Sequence, residues 1–97
     1  MSPKNKKKLD LIRVKLDKLD NKLLSLIKTR TGLVNEVLKL KEFQKEIVDK
    51  KRINFILKKI KDKSKKLKID PKITNRIWKN MIWSYIDYER RNFKKKK

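Results

Sequence analysis

Two cations make the stretch R-T-G-L-V-N-E-V-L-K-L-K chemically unusual. Arg30 opens it and Lys41 closes it. On a helix turning about 100° per residue, they point only about 20° apart. Leu16, Leu19, Leu23, Leu26, Val34 and Val37 fall within about 40° of Arg30 on the same wheel. Both cations therefore sit in the middle of an apolar arc, with Arg13 at its edge about 100° away. Further along, Arg52 stands beside Ile53 and Ile56, with Asp49 three residues before it. Glu89 follows Ile82 by seven residues and Trp78 by eleven, so it continues their stripe.

Taken singly, each of these groups reads as an internal salt bridge, Glu89 with Lys41 and Asp49 with Arg52, or as an arginine reaching out to solvent. As a set they do not balance. One inward Glu and one inward Asp cannot neutralise four inward cations, and an unpaired buried cation costs several kcal/mol. The excess suits a small dianion whose two carboxylates are gripped by guanidinium groups in bidentate fashion.

Three helices must position these groups. Apolar steps of three and four predict a first helix from about Leu9 to about Phe43, through Ile12, Leu16, Leu19, Leu23, Leu26, Leu33, Val37 and Leu40. Gly32 inside it costs about 1 kcal/mol relative to Ala. A second helix starts near Asp49, a suitable N-cap, and carries Ile53, Ile56, Leu57, Ile60 and Leu67. The third is announced by I-D-P, with Asp70 as N-cap and Pro71 at the first helical position. It continues through Ile73, Ile77, Trp78, Met81, Ile82, Tyr85 and Phe93. The chain is thus expected to be all-α, with residues 1–8 a frayed basic tail, 9–93 the helical domain and 94–97 a Lys tail. Some 35 residues of first helix make a rod of about 50 Å, whose stripe two shorter helices cannot cover. An intertwined homodimer is the economical way to bury it. A long coiled coil fits less well, because Arg30 breaks the heptad seam.

Composition narrows the chemistry. The 97 residues contain no Cys and no His, which removes disulfides, thiolate ligands and the commonest general base and metal ligand. No apolar run approaches the roughly 20 residues that span a bilayer, and charges interrupt any signal-peptide core, so a cytoplasmic protein is expected. The net charge of +21 would suit nucleic acid or an anionic membrane. The lysines are nevertheless spread along the chain, with no Ala and one Gly, as compositional drift would produce.

The order Arg13, then L-D-K-L-D-N-K-L-L-S-L-I-K-T-R ending at Arg30, then Lys41, then I-V-D-K-K-R, then I-W-K-N-M-I-W-S-Y-I-D-Y-E resembles the all-helical class of chorismate mutases. That family is an intertwined dimer of three-helix chains with two equivalent active sites. The resemblance implies a Claisen rearrangement within one dicarboxylate, chorismate to prephenate, in aromatic amino-acid biosynthesis, with no nucleophile, metal or cofactor. It implies that Arg30 and Arg13 bind carboxylates, Arg13 from the partner subunit. Lys41 would hydrogen-bond the ether oxygen, Arg52 would support a carboxylate, and the backbone near Asp49 would meet the ring hydroxyl. Glu89 occupies the position of a Gln or Glu that donates to the ether oxygen.

Three positions depart from the family pattern. Ile53 replaces the usual Glu after the arginine of D-x-x-R. Tyr85 stands where Ser is common, four residues before Glu89. The loop between Lys41 and Asp49 is about one residue short. Isochorismate-pyruvate lyases share the fold and tolerate an apolar residue at the position of Ile53, so a lyase is the close alternative. A basic nucleic-acid-binding helical protein is the more distant one. A phosphate-binding surface wants its cations outside, whereas Arg30 and Lys41 lie on the apolar arc.

Overall fold

The computed structural model describes residues 1–94 and contains three α-helices. α1 spans Pro3–Leu40, α2 spans Lys50–Lys66 and α3 spans Pro71–Asn92. A single 3₁₀ turn, Gln44–Glu46, lies between α1 and α2. There is no strand among the described residues, as the sequence pattern requires. No helix among them is long and apolar enough to cross a membrane.

Local signals explain the helix ends. α1 begins earlier than its apolar period predicts, because Ser2 caps it. The Asn5 N–H donates to Ser2 Oγ at 3.2 Å, and Pro3 takes the first helical position. The Lys-rich residues expected to fray are therefore helical. Of the expected Lys tail 94–97, residues 95–97 lie outside the described residues. α1 ends at Leu40 rather than Phe43, whose backbone is extended at φ −123° and ψ 142°.

Asp49 caps α2 by accepting the Arg52 N–H at 3.0 Å, and Asp70 caps α3 by accepting the Lys72 N–H at 2.9 Å. α2 closes on a Schellman turn. Lys68 adopts φ 58°, its N–H donates to the Lys65 carbonyl, and the Ile69 N–H donates to the Ser64 carbonyl at 2.9 Å.

The chain divides into two units, Met1–Val34 and the residues from Asn35 onward. The first is a lone stretch of helix whose apolar side chains remain in solvent. Leu16, Leu19, Leu23 and Leu26 are each more than half exposed. Burying one such side chain fully is worth about 1.5–3 kcal/mol, so the stripe is a large unspent driving force for association. Gly32 lies in this unit with open space around the position of an added Cβ. Gly32→Ala is accordingly expected to raise stability by about 0.5–1 kcal/mol, read as a higher Tm in thermal denaturation followed by circular dichroism.

The second unit has a small core. Leu38, Ile47, Ile82 and Ile86 are buried, and Val48, Ile53, Ile56, Leu57 and Phe93 pack against them. Leu38, not Val37 or Leu40, supplies the contribution of α1 to this core; Val37 and Leu40 stay exposed. The buried Ser64 and Thr74 hydroxyls join α2 to α3 at 2.7 Å. Ser64 Oγ also lies 2.6 Å from the Ile60 carbonyl, so the pair is satisfied without water.

Candidate active site

The second unit brings together two groups that the sequence places on separate apolar stripes, Lys41 and Glu89. Lys41 is the first residue past α1, and its side chain is only 17% exposed. Glu89 lies on the inner side of α3 and is 6% exposed. Lys41 Nζ stands 3.4 Å from Glu89 Oε1 and 3.3 Å from Oε2, straddling the carboxylate. A tight ammonium–carboxylate bond is about 2.7–2.9 Å long. The observed pair is looser, so the ammonium keeps donor capacity for a third group.

Glu89 reaches this place because α3 turns Ile82, Ile86 and Glu89 to one side, and the first two anchor that side in the core. Lys41 is delivered by Leu38, which plugs the last turn of α1 into the same core.

Beside the pair, an open recess is lined by Lys41, Glu46, Val48, Asp49, Lys50 and Lys51. Asp49 therefore borders the same space as Lys41, and the N-terminal turn of α2 faces it. Glu46 and Val48 were not singled out from the sequence. They belong to an irregular connection, where no period reveals which side chains face inward.

Of the two roles the sequence leaves open for Asp49, cap of α2 and ion-pair partner of Arg52, the structure takes the first. The Asp49 carboxylate is engaged by the Arg52 backbone N–H as a helix cap, and the Arg52 guanidinium lies over the Phe55 ring, 5.4 Å from its centroid. Arg52 is exposed, as is Asp49. Tyr85 is half-buried on α3, its ring edge-on to Tyr88 with centroids 6.5 Å apart. The Tyr88 hydroxyl donates to Asn35 Oδ1 at 2.9 Å, tying α3 to α1 within this unit. Neither Tyr88 nor Asn35 stood out as a site residue, because polar side chains on mixed faces carry no periodic signal.

Arg13 and Arg30 belong to the first unit. Arg13 is exposed and Arg30 is half-buried. Seventeen residues of continuous helix separate them, or about 25 Å along the axis. One chain does not bring these two guanidinium groups together.

A part-buried Lys–Glu pair thus borders an open recess lined by three lysines and two carboxylates, on a helical chain with neither Cys nor His. The family model for chorismate mutase type II matches residues 12–90. The chain belongs to that family. The chorismate mutase match covers most of α1, all of α2 and nearly all of α3. It takes in Arg13, Arg30, Lys41, Asp49, Arg52, Tyr85 and Glu89. Family membership makes an isomerase acting on a small molecule the general expectation. No curated protein and no solved structure matches the chain.

Proposed function

We propose that this chain is a chorismate mutase that converts chorismate to prephenate without a covalent intermediate. The observation that carries the proposal is the part-buried Lys41–Glu89 pair, 3.3 Å apart and next to the recess that Asp49 also lines. The reaction breaks one C–O bond and makes one C–C bond within a single molecule. Catalysis then needs two things: a site that holds the side chain in a near-attack geometry, and donors aimed at the ether oxygen as negative charge develops there. Lys41 supplies one donor. Glu89 supplies a second when it carries a proton.

The guanidinium groups of Arg30 and Arg52 bind the substrate carboxylates, and the backbone near Asp49 meets the ring hydroxyl. Arg13 completes the carboxylate grip from a second copy of the chain. Two features support the dimer. The apolar stripe of α1 is exposed, and the 25 Å between Arg13 and Arg30 exceeds the reach of one small substrate within a single helix, about 10 Å being a generous span for such a molecule. We place the dimer in the cytoplasm, no helix among the described residues being long and apolar enough to cross a membrane.

A second reading, an isochorismate-pyruvate lyase, is favoured by one observation. Ile53, which follows Arg52, packs against the core and offers no carboxylate to a ring hydroxyl. Incubating the purified protein separately with chorismate and isochorismate distinguishes the two. Prephenate from chorismate is the expected result. Salicylate with pyruvate from isochorismate, and no prephenate, would replace the mutase by the lyase, and inertness towards both would remove the enzyme reading. Sedimentation at assay concentration should give twice the chain mass, and an active monomer would refute the role of Arg13 in trans.

A further inference from the structure

α2 holds the most concentrated charge among the three helices. Its 17 residues include nine Lys and Arg against one Asp, whereas the 38 residues of α1 include eleven against four. Drift in composition raises lysine everywhere alike and does not account for a helix of which half is cationic. Helical geometry sorts the residues of α2 into two sides. Ile53, Ile56, Leu57, Ile60 and Ser64 are buried or half-buried and fall within one arc of about 100°. All nine cations lie on the remaining, exposed side, together with Asn54, Phe55 and Asp62. Asp62 pairs with Lys58 at 3.4 Å and leaves most of that charge uncompensated.

Lys63, Lys65 and Lys66 suit the dipole in the last turn, but the rest of the arrangement works against the helix. Lys50, Lys51 and Arg52 oppose the dipole in a first turn that has no acidic residue. Lys59 with Lys63, and Lys61 with Lys65, are like-charged neighbours at i,i+4, which is unfavourable in isolation. A polyanion lying along α2 would reverse both effects.

We propose that the exposed face of α2 docks nucleic acid through its phosphodiester backbone, without base specificity. The helix is about 25 Å long, the axial rise of about seven base pairs of duplex. The requirement that a phosphate-binding surface turn its cations outward is not met by Arg30 and Lys41, but α2 meets it along its whole length. An anionic membrane is the weaker match. A helix lying in a membrane interface buries an apolar face among the lipid chains, and the apolar face of α2 is already packed on the core. Phe55, with the Arg52 guanidinium at 5.4 Å and the Lys59 ammonium at 5.8 Å from its ring centroid, is too small a substitute. Lys59, Lys63 and Lys66 line no part of the recess beside Lys41, so the two activities are separable by mutation.

The test uses the full chain with a fluorescent duplex DNA and a single-stranded RNA, each titrated by anisotropy across a series of KCl concentrations. Log K should fall linearly with log[KCl]. The triple variant Lys59→Glu, Lys63→Glu, Lys66→Glu should bind at least about tenfold more weakly near 0.1 M salt, with a slope shallower by about 3. Its turnover of chorismate should equal that of the parent. The triple Gln variant at the same positions repeats the test with less strain on the last turn, should circular dichroism show lost helix. A control with the same charge change on α1, Lys4→Glu, Lys7→Glu, Lys8→Glu, should stay within about threefold of the parent, since it leaves all the phosphate contacts in place. Equal losses in the two charge-reversed triples would overturn the proposal. So would a salt slope unmoved by the α2 substitutions, or α2-dependent capture by phosphatidylserine vesicles with neither nucleic acid bound.

Discussion

Arg13→Ala and Arg30→Ala are each expected to lower kcat/KM by about 10²–10³, while a one-to-one mixture of the two variants recovers about one quarter of the parental activity. The size follows from losing a charge-assisted, bidentate grip on a carboxylate that must be held in place for the rearrangement. The recovery follows from geometry. Within one α1 the two guanidinium groups lie about 25 Å apart along the axis, so a site that uses both must draw them from different chains. In a symmetric dimer with two such sites, a mixed dimer carries one site with both substitutions and one with neither. Random exchange makes about half the dimers mixed, and each has one working site of two. Neither substitution should cost much stability: Arg13 is exposed, and the half-buried Arg30 lies among the leucines of the stripe. Kinetics on the separate and mixed variants, with sedimentation to establish subunit exchange, decide the matter. Failure of the exchanged mixture to exceed its parents would place both arginines in the same site or in none.

How much of this was legible before any coordinates depended on the kind of signal each residue carries. Asp49 and Asp70 mark helix starts because a carboxylate before a helical run satisfies backbone N–H groups left over by the helix, and both do so here. Ser2-Pro3 carries the same signal, but it is followed by a run of Lys whose mutual repulsion suggests fraying. The cap prevailed. Lys41 and Glu89 were legible as partners because each interrupts an apolar stripe, and a charge in such a place must be met by another. For Asp49 two roles stood open, cap of α2 and partner of the Arg52 guanidinium, and the cap is the one it takes. Spacing alone cannot tell a carboxylate that caps a helix from one that pairs with a side chain, and here the backbone N–H took it. Leu38 and Ile47 were hidden for a different reason. α1 serves two environments, an exposed stripe and the core of the second unit, and only the longer stripe dominates the period.

The Lys41–Glu89 pair yields the other large effect, because its members carry both catalysis and fold. Lys41→Met is expected to reduce kcat by about 10²–10³, the usual consequence of removing a donor aimed at a developing oxyanion. It also leaves the carboxylate of Glu89, 6% exposed, without its cation. Stranding a buried charge costs about 3–5 kcal/mol at the upper end, and the residual opening of this site brings the expected loss to about 1–3 kcal/mol. Glu89→Gln does the reverse. It removes the charge, keeps a donor towards the ether oxygen and so retains activity. The double variant Lys41→Met, Glu89→Gln should regain most of the lost stability, since no unpaired charge remains, yet stay as slow as Lys41→Met alone. Denaturation midpoints and kcat/KM of all four proteins form a complete cycle. A Glu89→Ala variant as active as the parent would remove Glu89 from the chemistry and leave it the counter-ion of Lys41.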